Sequence, residues 1–488
     1  MGFAGAECLR SANMQDVVTL IWCIRACAVL TLVNCVFALS HTTAQDLDLD
    51  RAYKQAASQY ESGNLPEAAA LLEKIVRQAP ETFEPQELLG LVYAAQSQND
   101  KANPHLEKAV RLNPDSPVAR TNFANNLVRL GKLELAGQQF KMAYSLSPHD
   151  YQANHNLGEF YARSNKIAEA LPFLERAQLI DPSSYDNSYD LSLAYFLTGR
   201  TADARTLIGL LLSREDTAEL HNLLAQVEEK DGNYVLAANE YQAAAHLDPS
   251  ENNIFDWGGE LLLHRTLEPA VEVFRQGTQR FPNSSRMAIG LGMAYYTLGK
   301  YDDAVKSLLR AADLDPQDAR SYFFLSRAFD SSPAQADAVI ERLHRYAELQ
   351  PANGRAVFYY ALSLWKGKRS QDPNLDLTQV ESLLKKAIAL QPDIPEAHLQ
   401  LGNLYSDQHK YAESIPEYLR ACELNPDLAD AHYRLAQAYV HTGQKDLAQP
   451  EFKIYQQLDA QHLADSEKQR AEVRQFVYSE THSGEAHP

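Results

Sequence analysis

Residues 285–318 read SRMAIGLGMAYYTLGKYDDAVKSLLRAADLDPQD, and the spacing within them decides the fold. Ala288, Leu291, Gly292 and Tyr295 recur at intervals of three and four, which puts them on one stripe of a helix. Ala304, Leu308 and Ala311 make a second stripe. Between the stripes stands Gly299, a residue that ends a helix without steric cost, and Pro316 stops the second helix because it has no amide hydrogen to donate. The segment is therefore a helical hairpin with its own stop signals.

The pattern recurs along the chain, and the helix-closing prolines mark it: Pro80, Pro114, Pro148, Pro182, Pro249, Pro282, Pro316, Pro351, Pro392 and Pro426. The first intervals are all 34 residues. Pro182 to Pro249 spans two periods less one, with Asp216 where a proline is missing. With the proline at position 32, a small residue falls at position 20 in every complete unit, as in Ala68, Ala102, Ala136, Ala170, Ala204, Ala237, Ala270, Ala304, Ala338, Ser414 and Ala448. Positions 7, 8 and 11 hold Leu89, Gly90 and Tyr93, or Leu157, Gly158 and Tyr161, or Leu401, Gly402 and Tyr405. Position 11 accounts for much of a tyrosine count of 25.

This pattern resembles the tetratricopeptide repeat in period and signature. The resemblance implies an all-α solenoid, a superhelix of helical hairpins. Twelve units are expected over 49–460, starting near 49, 83, 117, 151, 185, 218, 251, 285, 319, 354, 395 and 429. The ninth has the loop Asp330 to Pro333 in place of its glycine, and the tenth carries an insertion near Gly367 to Thr378. Residues 461–478 read as a helix capping the last apolar face, and 479–488 as a disordered tail.

The first 40 residues read as an export signal, in which Arg10 and Arg25 precede the apolar run Ala26 to Leu39. That run is short for a membrane span, although a longer stretch from Val17 would make an uncleaved anchor. Export places the repeats in a periplasm or outside the cell. Cys8, Cys23, Cys27 and Cys35 all lie in this leader, so the rest of the chain holds Cys422 alone and forms no internal disulfide. A net charge of −19 disfavours nucleic acid and anionic lipid as main partners.

A phosphate-binding glycine loop, a His-Glu-x-x-His zinc motif and a Gly-x-Ser-x-Gly nucleophile turn are all absent from the sequence. His398 and His432 fall at repeat position 4, a packing position, and Cys422 reads as filler in a second helix. The expectation is a chain without catalysis, cofactor or metal. Its partner is a protein or peptide, and the membrane is met only through the N-terminus.

In the family the first helices line a groove, with positions 2, 5, 6, 9, 12 and 13 facing the ligand. Carried over, those positions hold a polar run in units three to five that includes Asn122, Asn125, Asn156 and Asp190. In units eight to ten the first helices offer Met293, Tyr296, Phe323, Phe324, Phe358, Tyr359 and Trp365 with Arg286, Arg320, Arg327 and Arg355. Aromatic anchors beside arginine suit an extended peptide carrying acidic residues, unless neighbouring helices cover those rings as core. Two functional classes follow: a scaffold that binds a partner in the groove, or an accessory subunit of a cell-envelope enzyme such as a glycan or polysaccharide assembly system.

Overall fold

The computed structural model describes residues 44–328, 332, 335–369 and 377–462. The expected leader, the tail, nearly all of the capping segment and most of the tenth-unit insertion lie outside the described residues, as does the 330–333 loop apart from Ser332. Every regular element among the described residues is helical, and no helix there is long and apolar enough to cross a membrane.

The chain forms two compact units, 1–211 and 212–488, which divide at the last residue of a helix whose body lies in the first. The first contains α1 (Ala44–Glu61), α2 (Leu65–Gln78), α3 (Phe83–Ala95), α4 (Asn99–Leu112), α5 (Pro117–Arg129), α6 (Leu133–Leu146), α7 (Tyr151–Arg163), α8 (Ile167–Ile180), α9 (Tyr185–Leu197) and α10 (Thr201–Leu212). The second contains α11 (Ala218–Lys230), α12 (Tyr234–Leu247), α13 (Glu251–Leu263), α14 (Leu267–Arg280), α15 (Ser285–Thr297), α16 (Tyr301–Leu314), α17 (Ala319–Ala328), α18 (Ala336–Leu349), α19 (Gly354–Arg369), α20 (Leu377–Leu390), α21 (Pro395–Asp407), α22 (Tyr411–Leu424) and α23 (Ala429–His441), followed by a helix over 445–462. Odd-numbered helices open each hairpin and even-numbered ones close it. The architecture is an all-α solenoid in both units.

Close approach within a hairpin depends on small residues. Ala68, Ala102, Ala136, Ala170, Ala237, Ala270 and Ala304 are fully buried, and the helix of each packs against its partner across them; Ala204 is fully buried as well. The glycine at position 8 removes the last obstacle: a β-carbon on Gly158 would stand 2.7 Å from Leu174 Cδ2. The turn between the two helices needs a left-handed residue, and Gly131 supplies it with φ of 71°. Ser97, Asn165, Arg265 and His409 take that conformation in repeats that lack the glycine.

A second set of contacts joins successive hairpins. The proline carbonyl that ends one hairpin accepts from the position-4 side chain six residues on, as in Gln86 to Pro80 (2.8 Å), Asn154 to Pro148 (3.1 Å), His398 to Pro392 (3.2 Å) and His432 to Pro426 (3.0 Å). The same position-4 side chain often reaches a polar residue nineteen positions later, in the hairpin's second helix. Pairs of this kind are His221 with Glu240 (2.5 Å), His398 with Glu417 (2.7 Å) and His432 with Glu451 (2.6 Å). Where the proline is missing, the Asp216 carboxylate takes its place beside His221 at 2.7 Å. Side-chain caps also start several first helices, for example Asp150 Oδ1 accepting from the Ala153 amide at 2.9 Å.

Two glycine substitutions in the first unit should move stability in opposite directions. Gly158→Ala forces a methyl group onto Leu174, and overpacking of this kind costs about 1–3 kcal/mol. Gly209→Ala meets nothing within 4 Å on an exposed helix face, and should stabilise by about 0.5–1 kcal/mol. Thermal unfolding of the two variants beside the parent checks both signs.

Candidate functional site

In each unit the first helices touch one another in succession, α1 with α3, α5 with α7 and α7 with α9, then α13 with α15 and α15 with α17. The second helices stand further apart, α16 and α18 excepted. Each unit is therefore tighter on its first-helix side, and the side chains projecting from that face converge.

In the first unit this face is polar and acidic. Asn122 donates to Glu87 Oε1 at 3.0 Å, and burial raises the Glu87 carboxyl above the ordinary range. Asn125 is exposed and Asn156 half-buried. Asp190 is pushed up to about 6, first by burial and then by the Glu159 carboxylate, against the pull of His155 and Arg163. Arg163 sits on Glu159 at 2.7 Å, so one cation serves two acids.

In the second unit Glu229, Tyr241, Phe255, Asp256 and Glu260 line a cavity of about 210 Å³ against Gly259 and Leu263. Burial raises the carboxyls of Glu229 and Asp256 above the ordinary range. Tyr241 donates to Glu229 Oε2 at 3.2 Å, and Asn222 donates to Asp256 Oδ2 at 3.3 Å. Glu260 is 4% exposed, and its Oε1 makes no hydrogen bond, although His264 Nε2 lies 3.3 Å away. Arg286 stacks on the Phe255 ring at 3.9 Å, bonds Asn252 at 2.7 Å and approaches Asp256 at 3.5 Å. Carboxylates held away from water between aromatic walls favour a bound cation, since rings and acids both attract one.

A larger hollow of about 610 Å³ lies between α12, α13 and α14, over Ile254, Trp257 and Val273. It is away from the first-helix acids.

Tetratricopeptide-repeat sequence profiles match residues 53–117 and 121–188, 161–227, and 429–462, and a further TPR-repeat profile matches 292–328 and 402–443, together more than half of the chain. The chain is a tetratricopeptide-repeat protein. No curated protein sequence matches it. Solved structures similar to this TPR protein include yeast Tom70, at 16% identity over 88% of this chain and 97% of that one with a TM-score of 0.38. A structure of Naa15/Naa10 bound to HypK-THB matches at 14% identity over 83% and 68%, with a TM-score of 0.34. A tetratricopeptide repeat protein from Parabacteroides merdae matches at 16% over 50% and 98%, with a TM-score of 0.38.

The aromatic site expected in repeats eight to ten of this TPR protein is corrected in part. Phe358, Tyr359 and Trp365 are core, at 5%, 8% and 5% exposure. Their helix, α19, is apolar on nearly every side, with Val357, Ala361, Leu362 and Leu364 buried beside them, and such a helix belongs inside. Met293, Tyr296, Phe323 and Phe324 are half-buried. Arg327 is exposed and lies over the Phe323 ring at 4.6 Å, and Phe323 meets Phe324 edge-on at 5.1 Å. Arg320 forks onto Asp318 at 2.7 Å, and Arg355 is exposed. Cys422 is partly buried, and burial followed by the Glu451 carboxylate pushes its thiol up to about 12, which leaves it protonated and a poor nucleophile.

The acidic cavity was open to the same positional reading. Phe255, Asp256 and Gly259 occupy positions 5, 6 and 9 of the repeat starting near 251, and Glu229 position 12 of the one before. What the pattern lacks is Glu260, at position 10, which belongs to neither the groove nor the packing positions, and Tyr241, at packing position 24.

Because Asp190 binds its proton more tightly in the folded chain than at its ordinary value of 3.8, folding takes up protons between there and about 6, and stability falls as pH rises through that window. Asp190→Asn should stabilise the chain at pH 7.5 by about 1–2 kcal/mol and flatten the pH dependence of unfolding between pH 4 and 7. Denaturant unfolding at several pH values measures both.

Proposed function

We propose that this tetratricopeptide-repeat protein is a non-catalytic scaffold whose units each take an extended, basic segment of a partner protein on their first-helix face. The observation that carries the reading is the set of desolvated carboxylates there, Glu87 and Asp190 in one unit and Glu229 and Asp256 in the other, each with its carboxyl raised by burial. A lysine or arginine delivered to such a site replaces lost water with an ion pair and favours the ionised form of the acid. The net charge of −19 steers a basic partner toward the chain at long range. The acidic peptide expected from the arginines alone fits less well, because Arg286 and Arg320 are already engaged by Asp256 and Asp318. Export through residues 1–40 would put this recruitment in the cell envelope, where the scaffold would hold soluble or membrane-bound partners together.

Titration calorimetry with arrayed Arg- and Lys-rich peptides of eight to twelve residues tests the reading. The best binder should lose about tenfold or more in affinity with the Glu229→Gln, Asp256→Asn pair, and should weaken steeply with salt. Arg327→Glu should leave it nearly unchanged. Preference for acidic peptides, lost on Arg327→Glu, would overturn the basic-segment reading. Capture of a glycan or polysaccharide synthase from an envelope fraction would instead favour an accessory subunit of that enzyme.

A further inference from the structure

The final two repeats bring together a thiol, an imidazole and a carboxylate from three different helices. Cys422 lies near the end of α22, His432 in the first turn of α23 and Glu451 in the helix over 445–462. One donor atom of each falls within 4.8 Å of the other two. We propose that these residues form a binding site for a single divalent transition-metal ion, with zinc the best fit, that ties the last hairpin to the one before it.

The geometry of His432 supports the assignment. Its Nε2 faces the Pro426 carbonyl at 3.0 Å, a contact in which Nε2 carries the hydrogen. That leaves Nδ1 as the ring nitrogen turned toward Glu451, whose Oε2 is 2.6 Å away. Metal-binding histidines are commonly held this way, with the distal nitrogen donating to a backbone carbonyl that fixes the tautomer and the ring plane. The donor set is mixed and borderline-soft. Thiolate, imidazole and carboxylate together suit zinc, whereas magnesium and calcium take oxygen ligands. Three protein ligands leave a fourth tetrahedral position for water or for a group brought by a partner.

The preceding repeat supplies an internal comparison. His398 makes the same two contacts, with Glu417 at 2.7 Å and the Pro392 carbonyl at 3.2 Å. Four residues before Pro392 the chain has Ile388, and four before Pro426 it has Cys422. The imidazole–carboxylate pair thus occurs at a junction that has no sulfur, and the sulfur is an addition at the last one. Among the described residues this is the one group of three such donors close enough to share an ion. On binding, the thiol proton and the proton shared by His432 and Glu451 leave to solvent, and the ion takes their place. Because the ligands span the junction and come together only in the folded chain, the ion stabilises the last hairpin selectively.

Cobalt(II) titration of the metal-free full chain, followed by zinc displacement, tests the site. One cobalt per chain should give a near-ultraviolet thiolate-to-cobalt band and intense tetrahedral visible bands, both lost on adding one equivalent of zinc. Cys422→Ser keeps the four leader cysteines and the local shape, and should remove the thiolate band of this site and weaken zinc binding at least tenfold. His398→Gln, at the sulfur-free junction, should leave both readouts unchanged. Zinc should also slow amide exchange across residues 429–460 in the parent and not in Cys422→Ser. Binding that Cys422→Ser leaves intact would be an adventitious ion only, and would overturn the proposal, as would the absence of a stoichiometric site at micromolar zinc.

Discussion

Several hairpins end on a carbonyl that no helical amide reaches, and at those junctions the next hairpin is docked by the side chain that meets it. A proline supplies the carbonyl in Gln86, Asn154, His398 and His432, and the Asp216 carboxylate replaces it beside His221. A buried polar group left unpaired costs more than a typical hydrogen bond contributes, so the orientation of one hairpin on the next is constrained by a polar contact as well as by apolar packing. The fully buried alanines at position 20 then set how near the two helices of a hairpin lie. Together these fix the spacing of the first helices within each unit, and with it the face that carries Glu87 and Asp190 in the first unit and the face that carries Glu229 and Asp256 in the second.

The acids on that face are costly for the folded chain. Burial raises their carboxyls, and in the second unit Arg286 offers a guanidinium to Asp256 while Glu260 Oε1 goes without a hydrogen bond. Such groups are concentrated at functional sites across proteins, and the repeat architecture can bear the expense because stability is distributed over many hairpin interfaces.

The fold was legible because each repeat carries redundant signals. Leu157, Gly158, Ala170, Leu174 and Pro182 state the same hairpin in several ways, so losing Pro at Asp216 or Gly at Asn165 does not obscure it. The binding face was legible in position but not in exposure. The positional rule names Phe358 and Tyr359 as groove residues, yet the apolar surroundings of α19 draw them inward. It passes over Glu260, because a carboxylate at position 10, outside both the groove and the packing stripes, gives no signal until its neighbours are in place. The role of position 4 was half legible: His398 and His432 read as packing residues, and the proline carbonyl they bond became visible only with coordinates.

The junction has a consequence for how such a chain changes over generations. Its two halves, a proline and the residue six places later, are separated by less than one period, and the pair recurs at Gln86, Arg120, Asn154, Tyr322, His398 and His432. A recombination between two such repeats that adds or removes full periods restores a complete junction on both sides. The array can therefore lengthen or shorten by unequal exchange without passing through an unfolded ancestor, while a duplicated Cys422 would carry its sulfur to a new site only if the cut kept it with the histidine that follows.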